Sequence, residues 1–121
     1  MRKRHLLALW ATLVLGVTPV MAENGHSSLL QRYVIERDIP GAGKMTPIEL
    51  RDAAAKSNKV LRHLGPDIKW VQSYVTGDKL YCVYEARSAD LIRRHAELSG
   101  FPANRINAVS AVIDPATAKE K

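Results

Sequence analysis

The sequence of 121 residues contains one cysteine, Cys82, so no disulfide bond can form within the chain. It also lacks the local spacings that mark metal and phosphate sites: there is no His-x-x-x-His, no Cys-x-x-Cys, no calcium loop and no glycine-rich phosphate loop. No serine or cysteine lies in a recognisable nucleophile motif, and the residues alone do not predict an enzyme. Any functional site therefore depends on residues that the fold brings together.

The N-terminus has the three parts of a secretory signal peptide. Basic residues at 2–5 precede an apolar run at 6–17, and residues 20–22 form a cleavage site with small residues, of the kind that signal peptidase accepts. Crossing a bilayer takes roughly 20 apolar residues, and Pro19 ends this run too early for a membrane anchor. We therefore expect cleavage after Ala22 and a protein that is periplasmic or secreted, without stable membrane insertion.

The charge of the remaining chain is small. The whole sequence has a formal charge of +6, but three of its 18 basic residues lie in the predicted signal peptide, which leaves 15 basic and 12 acidic residues and a net charge of +3. No stripe of lysine and arginine is interleaved with aromatic side chains, which is the footprint expected of a nucleic-acid surface. Nucleic acid is therefore not a predicted partner.

After the signal peptide at residues 1–22, the chain has the length of one small domain. We expect a flexible N-terminal arm at residues 23–30, a folded domain at residues 31–115 and a polar tail at residues 116–121. One domain is therefore predicted.

The first half of this domain predicts a strand followed by a helix. Residues 31–39 alternate between apolar and polar side chains and end at a proline-glycine turn, as in a β-strand. Thr46 and Glu49 have the spacing of a capping box, so a helix is expected to begin there. Its apolar stripe, which includes Ser57, repeats at every third or fourth residue until Gly65 ends the helix.

The second half predicts a hairpin, a helix and a last strand. Residues 67–75 and 79–86 alternate as strands, and Gly77 between them is expected to supply the positive φ of a tight turn. Residues 88–100 have a serine cap at the start and a glycine at the end of an apolar stripe, as in a helix. Residues 105–113 are rich in β-branched side chains and predict a strand.

The resulting order, β-α-β-β-α-β, is the pattern of a ferredoxin-like α+β sandwich, in which both helices cover one face of a four-stranded antiparallel sheet. Strict alternation divides the hairpin into two sets of side chains, one at residues 71, 73, 75, 81 and 83 and the other at Trp70, Gln72, Tyr74, Leu80, Cys82 and Tyr84. Either set would expose apolar or aromatic groups that a monomer seldom tolerates. We therefore predict a homodimer through the free sheet face, forming a dimeric α+β barrel.

Two side chains of this fold are candidates for chemistry. His95 lies on the apolar stripe of the second helix, so it is expected to point at the sheet. It is either a core histidine that a hydroxyl or carbonyl satisfies, or a metal ligand or proton acceptor facing a pocket. Glu36 lies in the first strand, where a buried carboxylate needs a cation or strong donors, unless it forms an ion pair across the sheet.

The first and third strands are neighbours in this fold, so Glu36 is expected near Cys82 or Tyr84. Cys82 is either a small buried apolar group or a functional thiol. Imidazole, carboxylate and thiolate together form the mixed ligand set that suits late first-row divalent ions. The residues therefore permit a metal site without specifying one.

Four strings of this sequence, "VIERDIPG", "WVQSYVTGDKLYCVYEA", "LIRRHAELSGFPANRI" and the closing V-x-x-V-I-D-P, resemble in order and spacing a bacterial family. This family was formerly one of unknown function and is now labelled nickel-binding, after an actinobacterial member with a ferredoxin-like fold. The resemblance covers residues 33–115. It implies a dimer that binds nickel or a similar divalent transition metal, with Glu36, Tyr74, Cys82 and His95 at positions that match the pattern of the family.

Two hypotheses about function follow. In the first, the protein is an exported metal-binding domain in which the matching positions supply ligands. In the second, it is a dimeric α+β barrel that binds or oxidises a small organic molecule between the sheet and the helices, with His95 and Tyr74 as polar anchors.

Overall fold

The structure is a computed structural model that describes residues 29–119. The predicted signal peptide and most of the predicted arm lie outside the described residues, so both stay predictions. Within residues 29–119, none of the helices combines the length and the apolar character that spanning a membrane would take.

The described chain forms the six predicted elements in the predicted order: β1 (Gln31–Asp38), α1 (Pro47–Leu64), β2 (Ile68–Val75), β3 (Lys79–Ala86), α2 (Ala89–Ser99) and β4 (Arg105–Ala108). Short 3-10 turns lie at Ala42–Lys44 and Pro115–Lys119. The strands pair antiparallel in the order β2-β3-β1-β4, and both helices contact the same face of the sheet. This is the predicted ferredoxin-like α+β sandwich.

Local sequence signals set the ends of both helices. The Thr46 hydroxyl accepts a hydrogen bond from the Glu49 amide at 3.2 Å, and the Glu49 carboxylate accepts one from the Thr46 amide at 2.7 Å, so the predicted capping box is confirmed. Gly65 ends α1 with a φ of 85°. Ser88 caps α2, and Gly100 ends it in the left-handed region. Both helix boundaries are therefore consequences of the sequence.

The hairpin differs from its prediction in the turn. Positive φ angles occur among the described glycines at Gly41, Gly65 and Gly100, and Gly77 does not have one. The turn is closed instead by Thr76, whose amide and hydroxyl both donate to the Lys79 carbonyl oxygen. The prediction that Gly77 supplies a positive φ is wrong.

A β-bulge at Val71 decides which side chains of β2 face the helices. The pairing of β2 with β3 slips by one residue here, so that Trp70 lies opposite Tyr84 while Ser73 lies opposite Cys82. Trp70 and Ser73 therefore share a face although they are three positions apart, because the extra residue takes up one step of the alternation. The strict alternation predicted for this strand is wrong at this point.

The register defines two faces of the sheet. The helix-facing side carries the core: Tyr33, Ile35, Arg37, Ile68, Trp70, Ser73, Leu80, Cys82, Tyr84 and Ala86. The opposite side, here called the open face, carries Arg32, Val34, Glu36, Lys69, Gln72, Tyr74, Tyr81, Val83 and Glu85. The open face is more polar than predicted, since it includes the ion pair of Arg32 with Glu85 at 2.6 Å. Dimerisation through this face stays a prediction.

The last strand is shorter than predicted. It ends at Ala108, which pairs with Tyr33, and one further hydrogen bond joins the Val109 amide to the Arg32 carbonyl oxygen at 2.9 Å. Strand β1 begins at Gln31, so the residues that follow have no neighbour to pair with in the described chain. Val112 and Ile113 are accordingly exposed. The β-branched composition predicted a strand at residues 109–113 that is not formed.

Candidate functional site

A cavity of about 580 Å³ lies between the helix-facing side of the sheet and α1. Most of its wall is apolar, and the principal lining side chains are Met45, Leu50, Ala53, Trp70, Leu80 and Phe101. Cavities of this volume with apolar walls and a few polar groups are typical of small-molecule sites.

Four buried polar side chains, here called the polar cluster, lie in or directly behind the wall of this cavity: Arg37, Ser57, Tyr84 and His95. Arg37, Ser57 and Tyr84 line the cavity itself. His95 lies behind them and has no exposed surface. The cluster joins the sheet to both helices, because its members come from β1, α1, β3 and α2.

Ser57 is the central hydrogen-bonding group of the polar cluster. Its Oγ lies 3.0 Å from His95 Nε2 and 3.2 Å from Tyr84 Oη. A serine hydroxyl has one proton and two lone pairs, so it donates to at most one of these partners and can accept from either. The His95 ring packs against the Tyr84 ring at a centroid distance of 5.3 Å, and His95 Nδ1 has no partner among residues 29–119. His95 is therefore a core histidine whose Nε2 is satisfied by a hydroxyl, which is one of the two interpretations given above.

Burial decides the protonation of two members of the cluster. It lowers the pKa of His95 from 6.5 to about 4, the positive charge of Arg37 acts in the same direction, and hydrogen bonding to Ser57 opposes both. Burial also raises the pKa of Tyr84, against the opposing effects of Ser57 and Arg37. At neutral pH the imidazole and the phenol are both uncharged, which leaves Arg37 as the charged group of the cluster.

Arg37 is an arginine whose charge is almost fully removed from water. Arg37 is 2% exposed, and its Nη1 donates a hydrogen bond to the Pro102 carbonyl oxygen at 2.7 Å. The guanidinium carbon lies 5.9 Å from the ring centroids of both Tyr84 and Phe101, a distance at which aromatic faces attract a cation. Within the described chain, Nη2 has no hydrogen-bond partner and no ion pair includes Arg37.

The predicted metal ligands are divided between the two sides of the sheet. His95 and Cys82 lie on the helix-facing side, where Cys82 is buried and lines the cavity. Glu36 and Tyr74 lie on the open face. In one chain the four side chains therefore do not converge on a single ion. Among residues 29–119, no three or more His, Cys, Asp or Glu side chains are grouped in a way that could hold a metal.

Glu36 lies on the other side of the sheet from its predicted neighbours. Strands β1 and β3 are adjacent, as predicted, but Glu36 is paired with Tyr81, so it points away from Cys82 and Tyr84. Its carboxylate lies 3.5 Å from Arg105 Nε on β4. The prediction that Glu36 shares a neighbourhood with Cys82 or Tyr84 is wrong, whereas the alternative of an ion pair across the sheet is confirmed.

The sequence reasoning missed Arg37 as a site residue. A usable signal was present in the sequence, because Tyr33 and Ile35 precede Arg37 at intervals of two, which places all three on one face of the strand, and that face is the buried one. A charged residue in phase with the apolar residues of a central strand is rare, since burying an unpaired charge is unfavourable. Such a residue indicates a functional reason for the charge.

The fold and the cavity together define a ferredoxin-like α+β domain with a ligand-sized site between its sheet and its helices. A family model described as "Nickel responsive protein SCO4226-like" matches residues 33–109, and the chain belongs to this family. The chain is also similar to the crystal structure of SCO4226 from Streptomyces coelicolor A3(2), with a TM-score of 0.58 and 20% sequence identity over 68% of this chain and 99% of the other. Curated proteins were compared as well, and none matches the chain.

Proposed function

We propose that the protein is an exported, homodimeric domain that binds nickel or a similar divalent transition metal. The observation that carries the proposal is membership of a family described as nickel responsive. The N-terminal sequence supports export, since residues 1–22 have the pattern of a signal peptide. Mass spectrometry of the protein recovered from the periplasm or the medium tests this part. A chain beginning at Glu23 is expected, and an intact N-terminus on a cytosolic protein would contradict it.

The open face is the better place for a cation. On the helix-facing side, Cys82 and Arg37 line the cavity and His95 lies behind Ser57 and Tyr84, so the positive charge of Arg37 would repel a divalent ion there. On the open face, Glu36 offers a carboxylate whose one ionic contact among residues 29–119, to Arg105, is long at 3.5 Å. One chain supplies too few ligands there, so we propose that the same face of a second copy completes the site.

The exposed side chains of β2 support association through this face. Tyr74 is 57% exposed, and the apolar Val71, at the bulge of the same strand, is exposed as well. Sedimentation equilibrium with and without nickel tests the assembly. The Tyr74→Lys variant should shift the protein toward monomer, while Leu98→Lys, at an exposed apolar position on α2, should not. A wild-type protein that is monomeric in both conditions would contradict the proposal.

Calorimetric titration of the tag-free protein with nickel tests metal binding itself. We expect Glu36→Gln to weaken binding about ten-fold or more, as loss of a ligand or of its support does. His95→Gln should have little effect, because His95 lies on the other side of the sheet. The opposite ranking of the two variants would contradict the placement on the open face. His63→Gln, at an exposed histidine of α1, is the control for non-specific imidazole binding.

A second candidate function is the binding of a small organic molecule. The observation that favours it is the cavity of about 580 Å³, whose largely apolar wall includes three buried polar side chains. Tyr74, which was predicted as an anchor in this site, lies on the open face instead. Arg37, Ser57 and Tyr84 are the polar groups that a bound molecule would meet.

A further inference from the structure

We propose that the cavity binds an organic anion, a carboxylate with an apolar body, and that Arg37 holds the carboxylate. This inference rests on the second proposed function, the binding of a small organic molecule, and assigns the class of that molecule. It is independent of the metal site proposed on the open face.

The charge of Arg37 requires a partner that the described chain does not supply. A guanidinium stays protonated in proteins, so burial cannot neutralise it as it neutralises His95. Nη1 donates to the Pro102 carbonyl oxygen, Nη2 is buried without an acceptor among residues 29–119, and Arg37 is one of the residues that line the cavity. A planar guanidinium matches the two oxygens of a carboxylate, and hydrogen bonds between charged groups are stronger than neutral ones.

The polar cluster can present a second donor beside Arg37. In one arrangement of the shared protons, His95 Nε2 donates to Ser57 Oγ and the Ser57 hydroxyl donates to Tyr84 Oη. The proton of Tyr84 is then free to donate into the cavity that this residue lines. The cluster thus offers one positive charge and one neutral donor, which suits a single negative charge and disfavours a cation.

The remainder of the cavity selects the body of the ligand. Its wall is formed by aliphatic and aromatic side chains, including Trp70, Leu80 and Phe101. A volume of about 580 Å³ is within the range of sites for drug-sized molecules. A ligand with one carboxylate and a chain or ring of apolar atoms fills both parts of the site.

Titration with two probes of equal chain length, octanoate and 1-octanol, tests the inference on the purified protein. Affinity is measured by calorimetry, and the location of binding by tryptophan fluorescence of the chain that begins at Glu23, where Trp70 in the cavity wall is the remaining tryptophan. We expect octanoate to bind about ten-fold or more tightly than octanol, because the carboxylate gains charged hydrogen bonds that the alcohol lacks.

Three variants assign the selectivity to one side chain. Arg37→Met should reduce the affinity for octanoate to that for octanol and leave octanol binding within about three-fold. Arg37→Lys keeps the charge and should retain part of the preference. Arg32→Met removes the same charge from the same strand, but on the open face, and should leave both affinities unchanged.

The outcomes separate the two proposals. Equal binding of octanoate and octanol would overturn the assignment to anions and leave small-molecule binding intact. A preference for octanoate that survives in Arg37→Met would overturn the role of Arg37. Absence of binding by either probe would overturn both proposals for the cavity. The comparison of the two probes on the wild-type protein needs no variant, so it decides the anion class even if Arg37→Met does not fold.

Discussion

The pH dependence of stability isolates the contribution of His95, the fully buried imidazole of the polar cluster. Its only hydrogen bond among the described residues joins Nε2 to Ser57 Oγ at 3.0 Å, and no carboxylate is paired with it there. Protonation would place a second positive charge near Arg37 without contact with water. Acid should therefore destabilise the fold through this residue.

The size of the effect follows from the two pKa values. In the unfolded chain His95 has the ordinary pKa of 6.5, whereas burial and the charge of Arg37 lower its pKa to about 4 in the folded protein. Below pH 6.5 the unfolded state gains a proton that the folded state does not bind, so stability is lost until the pH has passed the folded pKa. The loss in unfolding free energy is about 2 kcal/mol between pH 7 and pH 5, and about 3 kcal/mol below pH 4.

Urea unfolding at pH 7 and pH 5 measures this loss. In His95→Gln, the amide nitrogen can replace Nε2 beside Ser57 without a titrating group, so the variant should lose about 2 kcal/mol less than the wild type over this interval. His63→Gln removes an exposed histidine and should behave like the wild type. Equal losses for the wild type and His95→Gln would refute the account of a buried neutral imidazole.

Three further predictions concern local features of the chain. Thr46→Ala should lower the unfolding free energy by about 1 kcal/mol because it removes half of the capping box, whereas Glu49→Gln keeps a side chain that can complete it. Chemical denaturation compares the two variants, and equal effects would contradict the capping role. Gly100→Ala should lower the unfolding free energy by about 1 kcal/mol or more, because Gly100 has a φ of 75°. Gly77→Ala should leave the unfolding free energy nearly unchanged, since no atom lies within 4 Å of the added methyl group and the φ of Gly77 is not positive. A large loss of stability in Gly77→Ala would show that the turn is misassigned. The thiol of Cys82 should react with a chromogenic disulfide reagent only in denaturant, because the residue is 3% exposed. Rapid reaction of the native protein would contradict its burial, and so would a dimer band on electrophoresis that disappears with reductant.

Much of this fold follows from local signals in the sequence. The capping box at Thr46 and the glycine after each helix fix where the helices lie, and alternation in β1 and β3 fixes two central strands. With the order of elements given, the ferredoxin-like arrangement leaves little choice of topology. These features could be predicted because they depend on residues close together in the chain.

The faces of the sheet could not be predicted in the same way. The bulge at Val71 depends on how β2 pairs with β3, and one extra residue reverses the orientation of every side chain beyond it. The length of β4 depends on where β1 begins, not on the β-branched residues of β4 itself. Glu36 and Arg37 are neighbours in sequence, yet the pleat sends one to the open face and the other into the cavity.

The candidate site was anticipated in part. His95 was expected to point at the sheet, and it does so, but its partner Ser57 had been counted only as part of an apolar stripe. A serine within such a stripe becomes informative once the opposite side chains are known, here a tyrosine and a histidine. Sequence reasoning thus located members of the polar cluster without connecting them.

One titration tests the account most directly: nickel added to the tag-free protein, alone and with saturating octanoate. The proposed metal site and the proposed anion site lie on opposite sides of the sheet, so the account predicts saturable nickel binding of micromolar or tighter affinity, with a stoichiometry that octanoate does not change. Absence of nickel binding would contradict the proposed function. Competition between nickel and octanoate would contradict the separation of the two sites.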